Sequence, residues 1–267
     1  MDPERLIPRS IFRFDVVDST NEKAKEMLDQ GMEEGVVILA SRQASGRGRH
    51  GRAWASPPGG LYMSIVLKPK KSGIHLHFPP DGPPALRAPR PIMNIQLLSL
   101  LSGLPVVRTL RRLGIEASLK WPNDVLIHGL KVCGILCEGV YRRDAYWVIV
   151  GIGLNVGVDL RRLPKDVQSS ATSLRRELEG DVDPESVLVD LLQDYDDFYA
   201  VYVGEEKERL LKEYREMCET LGKSVVIETA KGRMSGRAID ISGAGALVLD
   251  SGGKRTEIFE GTLVKTT

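Results

Sequence analysis

The 267 residues are 42% hydrophobic and 27% charged, enough to bury the core of one large domain, alone or with a small one. Lys plus Arg number 37 against 36 Asp plus Glu, a formal charge of +1, so no global field draws the chain to nucleic acid or an anionic membrane, and any anion site is local. No run approaches the roughly 20 apolar residues of a membrane span, no basic segment with an apolar run opens the chain, and Cys133, Cys137 and Cys218 form neither a CxxC pair nor a Cys/His ligand set. A cytoplasmic protein with reduced, packed cysteines is expected.

In chain order, Asp18-Ser19-Thr20-Asn21-Glu22 opens the first helix, with Ser19 and Glu22 at capping-box spacing, Ala24, Met27 and Leu28 as its apolar stripe and Gly31 as its stop. Residues 36–40 and 61–67 read as buried strands. The 20 residues 41–60 between them are polar and hold Gly46, Gly48, Gly51, Gly59 and Gly60, and so long a connection in a compact domain is functional or disordered. Residues 68–92 carry seven prolines and five Lys or Arg against one Asp, which predicts a flexible, mildly basic surface excursion. Helical spacing returns over 92–113, with Gly103 and Pro105 expected to kink or divide the element. Short strands follow at 118–121, 125–127, 131–138 and 146–151, with a turn at His128-Gly129. Two helices are marked by Val187, Leu188, Leu191, Leu192, Tyr195 and Phe198, and by Leu210, Leu211, Tyr214, Met217 and Leu221. After Gly222 the pattern changes to short strands at 225–227, 235–239, 246–249, 256–259 and 263–265. The expected fold class is α/β (α+β). A mixed, largely antiparallel sheet carries helices on one side, and a small β domain docks on it because it is too short to bury much alone.

The sharpest local signal is Gln43-Ala44-Ser45-Gly46-Arg47-Gly48-Arg49-His50-Gly51-Arg52-Ala53-Trp54. Its formal G-x-G-x-x-G is not a dinucleotide fingerprint, because arginines interleave with the glycines and 54–60 has no helical pattern. Glycines let backbone N–H groups approach phosphate oxygens, and Arg47, Arg49 and Arg52 supply forked donors for phosphate or carboxylate. A solvated basic loop and a nucleic-acid loop compete with this reading, the second weakened by the lack of a wider basic face. Lys120-Trp121-Pro122-Asn123-Asp124 stands where a strand should emerge into a turn, and a simple tight turn would also explain it. Lys131 and Gly134 follow at once, a cation beside a position open to close approach. Gly151-Ile152-Gly153-Leu154-Asn155 ends the next strand, with Val156 where a dinucleotide motif needs its third glycine. No G-x-x-x-x-G-K-[ST] loop and no G-x-S-x-G elbow is present.

Through Ser19-Thr20-Asn21, the loop from Gly46 to Trp54, Lys120-Trp121-Pro122-Asn123-Asp124, Lys131-Val132-Cys133-Gly134-Ile135-Leu136 and Gly151-Ile152-Gly153-Leu154-Asn155, the chain resembles biotin–protein ligases, also called biotin–[acetyl-CoA-carboxylase] ligases. The resemblance covers nearly the whole chain. It implies a catalytic domain over 1–221, an SH3-like β domain over 222–267, Mg²⁺-dependent synthesis of biotinyl-5′-AMP from ATP and biotin, and transfer of biotin to a lysine of a biotin carboxyl carrier domain. Ser19, Thr20, Asn21 and Gln43 match positions that line the biotin site, to which Gly46, Arg47, Gly48, Arg49, Lys131, Gly134 and Gly151 also belong. Arg47, Gly48, Arg49 and Lys131 match positions that hold the carboxylate, the phosphate and the joined intermediate. Arg49, Arg52, Trp54, Lys120, Asn123, Lys131 and Asn155 form the implied ATP set, with Mg²⁺ near Asn123 and Asn155.

Two departures stand out. Residues 68–92 are longer and richer in proline than the family leads one to expect, and the chain begins almost at the catalytic domain, without the winged helix of ligases that also repress transcription. DNA and membranes are therefore not expected partners, and homodimerisation is left open. Charge dictates the expected mechanism: biotin's carboxylate is already a nucleophile, so adenylation needs alignment with the α-phosphate and neutralised repulsion rather than a base. Arg47, Arg49 and Lys131 suit that task, and Asp124 is the candidate for orienting or deprotonating the acceptor amine. The alternatives are a lipoate or octanoate ligase or transferase, and a non-catalytic nucleotide- or nucleic-acid-binding module.

Overall fold

In the computed structural model, which describes residues 10–68, 75–77, 90–92, 95–143, 145–204 and 206–267, alternate side chains of the central strands enter two separate apolar clusters. Strands β1 (Ser10–Val17), β2 (Val36–Gln43), β3 (Leu61–Leu67), β6 (Ser118–Lys120), β7 (Asp124–Ile127), β8 (Leu130–Arg142) and β9 (Ala145–Leu154) form one sheet in the order β1-β2-β3-β9-β8-β7-β6. Only β1 and β2 run parallel, joined through helix α1 (Thr20–Asp29), as a parallel pair requires a crossover. Val37, Ile65, Val148 and Val150 face one cluster, whereas Ile38, Val66, Trp147 and Ile149 face the other, the period-2 signature of a sheet covered on both sides. Helices α2 (Ile95–Leu101), α3 (Gly103–Arg112), α6 (Pro184–Val203) and α7 (Lys207–Met217) cover the first face. Helix α1 packs on the second through Ala24, Met27 and Leu28, so the helices occupy both faces rather than one.

The sequence pattern and the elements agree closely in the interior. The expected division of 92–113 occurs between α2 and α3, and the turn between β7 and β8 has His128 at φ 50 and Gly129 at φ 78, the paired positive φ of a tight hairpin. Helix α6 starts at Asp183, whose carboxylate accepts from the Glu185 and Ser186 amides at 3.1 and 3.2 Å, a side-chain N-cap. Three local expectations need correction. Ser19 is the N-cap of α1 but makes no side-chain capping bond, and the Glu22 carboxylate, which a capping box would turn to the Ser19 amide, bonds Lys25 and Arg47. Helix α7 ends at Met217, which leaves Leu221 in the following turn. No element was read at β1, although Phe12-Arg13-Phe14-Asp15-Val16 alternates apolar with polar residues and Phe12 and Phe14 pack half-buried against the α1 cluster.

Strands β10 (Ser224–Thr229), β11 (Gly232–Ile241), β12 (Leu247–Ser251), β13 (Lys254–Ile258) and β14 (Thr262–Thr266) make a C-terminal antiparallel sheet in the order β13-β12-β11-β10-β14. Its Val225, Ile227, Ala238, Ile241, Leu247, Leu249 and Ile258 join the same core as α7 and β6. A unit this small gains burial by leaning on a larger one. Within 68–92, the short strands β4 (His75–His77) and β5 (Arg90–Ile92) pair antiparallel, and the rest of the expected excursion beyond Lys68 lies outside the described residues. Between β9 and α6 stand two short helices, α4 (Lys165–Gln168) and α5 (Leu174–Glu177). Among the described residues no helix is long and apolar enough to cross a membrane. Cys133, Cys137 and Cys218 are free, and burial pushes the Cys137 thiol up to about 12, as expected of packed, unreactive side chains.

Phe198 is fully buried at the centre of the helical layer, edge-on to Tyr195 with ring centroids 5.3 Å apart. Phe198→Ala should cost about 3–5 kcal/mol of stability, measured by urea unfolding; a loss below about 1 kcal/mol, as at surface sites, would show that the layer collapses to fill the gap.

Candidate active site

A cleft of about 990 Å³ opens where the N-terminus of α1, the glycine-rich loop, the ends of β6 to β9 and the segment Gly261-Thr262-Leu263 converge. Its floor is polar and buried: Ser19, Thr20 and Asn21 are at most 4% exposed, and Ser64 is fully buried. Such groups require partners, and the floor supplies them. Thr20 donates from its amide to Gln43 Oε1 at 2.8 Å, and Gln43 Nε2 donates to Ser56 Oγ at 2.8 Å. Ser64 Oγ bonds Thr20 Oγ1 at 2.8 Å and donates to Asn21 Oδ1 at 2.6 Å. Asn21 Nδ2 donates to Leu136 O at 3.3 Å and to Glu138 Oε2 at 2.7 Å. Both amide hydrogens of Asn21 are thus spent, and it meets a ligand only as an acceptor. Gly151 makes room for this amide, since a Cβ there would lie 2.4 Å from Asn21 Oδ1.

The glycine-rich loop is a pinched hairpin rather than a phosphate-cradling turn. Arg47 pairs with Ala53 as a bridge, Gly48 N–H donates to Arg52 O at 2.6 Å, and Trp54 N–H donates to Gly46 O at 2.8 Å. The Gly48 amide is therefore consumed inside the loop, contrary to the sequence expectation, and the side chains supply the donors for an anion. A 3-10 turn over Arg49–Gly51 forms the tip, with exposed His50 at φ 54.

The cations differ in what already holds them. Arg47 Nη1 donates to Glu22 Oε1 at 2.6 Å, Arg52 Nη2 donates to Thr262 Oγ1 in a short contact, and Lys131 Nζ lies 2.5 Å from Asp124 Oδ1. Arg49 has no ion pair or side-chain hydrogen bond among the described residues. Desolvation pulls its pKa down, while the charges of Glu260 and Asp124 oppose that shift. A half-buried guanidinium without a bonded anion is a receptor for one.

Strands β8 and β9 bring Gly134 opposite Gly153, and the Trp54 indole lies on this pair. A Cβ on Gly153 would come within 2.5 Å of Trp54 Nε1, and one on Gly134 within 2.9 Å of the ring. Lys131 Nζ sits 5.1 Å from the ring centroid, within cation–π range. Asn123 is tied to β8 through Nδ2 to Ile135 O at 2.6 Å, and Lys120 lines the cleft opposite Asp124 in register. Asn155 donates from Nδ2 to Thr172 O at 3.0 Å. Among the described residues two buried atoms at the cleft, Trp54 Nε1 and Asn155 Oδ1, have no hydrogen-bond partner, which costs stability until a ligand satisfies them.

Every site residue expected from sequence thus lines this one cleft. Sequence reasoning missed Arg42, Arg162 and Asp166, and the segment Gly261-Thr262-Leu263, all of which line it too. The stretch after Asn155 has no periodicity to flag it, although it is anchored by Lys131 N–H to Ser170 O at 2.8 Å and Thr172 N–H to Lys131 O at 2.9 Å.

With this geometry in place, comparison with known proteins decides the family. A model of the Biotin/lipoate A/B protein ligase family matches residues 13–78 and 85–155. The chain belongs to that family. The match contains every expected cleft motif from Ser19 to Asn155. The chain is 30% identical over 261 residues to the biotin–[acetyl-CoA-carboxylase] ligase of Mycobacterium tuberculosis, covering 94% of this chain and 88% of that one. It is 29% identical over 249 residues to the bifunctional ligase/repressor BirA of Bacillus subtilis, covering 92% of this chain and 71% of that one. The biotin protein ligase from Aquifex aeolicus, solved in complex with biotin and ATP, matches with a TM-score of 0.79 at 29% identity, covering 97% of this chain and 99% of that one.

The Gly134–Gly153 shelf makes a sharp packing test. Gly153→Ala should lose about 1–3 kcal/mol in urea unfolding, the usual range for overpacking, and much less in a Trp54→Ala background where the clash is absent. Equal losses in both backgrounds would assign the glycine a different reason.

Proposed function

We propose that the protein is a biotin–protein ligase, which forms biotinyl-5′-AMP and pyrophosphate from biotin and ATP and then joins biotin to a lysine of a biotin carboxyl carrier domain. The observation that carries this reading is the continuity of the cleft from the hydrogen-bonding floor at Ser19, Thr20, Asn21 and Gln43 to the cations Arg47, Arg49 and Lys131. A buried floor lined with fixed polar atoms suits a ligand end that itself carries donors and acceptors, as a ureido ring does and a dithiolane or alkyl chain does not. The relatives from Mycobacterium tuberculosis and Aquifex aeolicus carry biotin ligation in their names.

Adenylation joins a carboxylate oxygen to the α-phosphorus and breaks the bond to the β-phosphate, releasing pyrophosphate. Two anions must meet, so the chief demand is charge neutralisation in a fixed geometry. We assign Arg47 to the biotin carboxylate, Arg49 and Lys131 to the phosphate and the joined intermediate, and Trp54, Arg52 and Lys120 to the nucleotide. In the second step a neutral lysine amine attacks the acyl carbonyl, AMP leaves and an amide forms. Asp124 receives or orients the amine proton, and its bond to Lys131 keeps that ammonium beside the developing oxyanion. Asn155 Oδ1, buried and without a partner, suits a hard cation such as Mg²⁺, which takes oxygen ligands and binds largely through substrate phosphates and water. Among the described residues no group of three or more His, Cys, Asp or Glu forms a metal site, so Asn155 and Asn123 would hold the ion together with the triphosphate, where it would neutralise phosphate charge. Division into a catalytic unit over 1–221 and an SH3-like unit over 222–267, and a cytoplasmic setting, belong to the same proposal.

Biotin should support ATP–pyrophosphate exchange without any carrier protein, and lipoate and octanoate should not. Exchange with lipoate alone would reassign the substrate, and nucleotide binding without exchange would leave only a binding module. Arg49→Gly should bind biotinyl-5′-AMP more weakly, because charged hydrogen bonds contribute about 1.5–3 kcal/mol, or roughly ten- to a hundredfold in affinity. Stopped-flow dissociation of the adenylate reads this directly, and an unchanged off-rate in the folded variant removes Arg49 from the role.

A further inference from the structure

The partner of Arg47 is itself held from below. Glu22 Oε1 accepts from Arg47 Nη1 at 2.6 Å and from Lys25 Nζ at 2.7 Å. Lys25 Nζ also donates to Glu138 Oε1 at 2.8 Å, and Glu138 Oε2 accepts from Asn21 Nδ2 at 2.7 Å. From Asn21 the bonds continue through Ser64, the hydroxyl and amide of Thr20, Gln43 and Ser56 to the carbonyl of Trp54. One unbroken run of hydrogen bonds therefore leaves the Arg47 arm of the glycine-rich hairpin, passes beneath the cleft and returns to its Trp54 arm.

Charges alternate along the outer half: guanidinium, carboxylate, ammonium, carboxylate. Exposure is 54% at Arg47, 31% at Glu22, 18% at Lys25 and 26% at Glu138, so the three inner members are less screened by salt than Arg47. Desolvation disfavours the Lys25 ammonium, yet its hydrogen bonds to Glu138 and Glu22 outweigh that and hold its pKa above the ordinary lysine value. Glu22 and Lys25 share one face of α1 three residues apart, and α1 is fixed to the sheet by its apolar side. The Glu22 carboxylate thus has a rigid mount. Among the described residues Arg47 is bonded through Nη1 alone, which leaves Nε and Nη2 for a ligand. An exposed ion pair adds little stability, so the consequence of this one is position.

We propose that Glu22 is a positioning residue for adenylation: it holds the Arg47 arm of the hairpin at the biotin end of the cleft, and Lys25 and Glu138 lock Glu22 to the Asn21 floor. The catalytic part of this proposal rests on Arg47 meeting the biotin carboxylate. The structural part does not, and the two are read separately.

Hydrogen–deuterium exchange of the amides of residues 44–54 in the ligand-free protein is the first measurement. Glu22→Gln and Lys25→Met should both speed it, and Lys25→Arg should retain the wild-type rate. The second is the KM for biotin in ATP–pyrophosphate exchange. Glu22→Gln should raise it by roughly ten- to a hundredfold, the scale of a misplaced contact group, with a smaller change in kcat. The Glu22→Gln/Arg47→Ala double variant should be no worse than Arg47→Ala alone. Unchanged loop exchange in Glu22→Gln overturns the proposal, as do additive losses in the double variant. Tighter biotin binding by Glu22→Gln also overturns it, because Glu22 would then be a competitor occupying the ligand's place on Arg47. Absence of biotin-dependent exchange in the wild type would sink the functional assignment alone, with the amide exchange still deciding whether Glu22 places the loop.

Discussion

A polar pocket floor beneath an apolar sheet is stable only if each of its atoms has a partner, and Asn21 is where that constraint bears hardest. At 2% exposure it needs acceptors for both amide hydrogens and finds them on β8 at Leu136 and Glu138. It needs a donor for its oxygen and finds it on β3 at Ser64. Those bonds fix the N-terminus of α1 against the sheet, and Gly151 leaves the gap into which the amide fits. An unsatisfied amide at this depth would cost about 1–3 kcal/mol, so the arrangement is strongly selected over near neighbours. The apolar face of α1 adds non-directional adhesion through Ala24, Met27 and Leu28, but the hydrogen bonds set its register.

From that anchored helix the charges of the cleft can be followed outward. The formal charge of the chain is +1, yet Arg47, Arg49, Arg52 and Lys131 converge on one cleft, so its field is local and owes nothing to net charge. Three of the four already have an acceptor, at Glu22, Thr262 and Asp124, which holds them in place, and the two carboxylates also lower the cost of mutual repulsion. Arg49 is left half-buried and open to an anion. Under the proposed ligase reaction the division suits two successive steps in one cleft, the held cations aligning the reactants and the open one gripping the intermediate.

The C-terminal sheet is part of this arrangement. Its core is continuous with that of the main sheet, Trp121 Nε1 donates to Gly245 O at 3.4 Å, and Arg215 Nη2 donates to Ile241 O at 2.7 Å. These bonds set the sheet so that Gly261, Thr262 and Leu263 form one wall of the cleft. Thr262 then meets Arg52 across 210 positions of sequence.

The sequence determined most interior elements and the cleft motifs from Ser19 to Asn155, because both depend on short-range pattern. Strand β3 fills the span read from its apolar run, Leu61–Leu67, and the paired turn residues at His128-Gly129 fix a hairpin within four residues. Gly46 to Trp54, Asn123-Asp124 and Gly151 to Asn155 stood out since glycine, arginine and amide clusters at strand ends have few purely structural uses. Tertiary structure decided what has no local signature. In the expected capping box at Ser19 and Glu22, the Glu22 carboxylate is bonded to Lys25 and Arg47, and the Arg47 contact has no signature in the local sequence. The indole of Trp54 rests on Gly134 and Gly153 only because β8 and β9 pair in that register. Which cation keeps a free hand, and which is held, follows from carboxylates and hydroxyls brought from distant elements. Hydrogen bonds and ion pairs act over a few ångströms whatever the separation along the chain, so their partners are settled by packing and not by spacing.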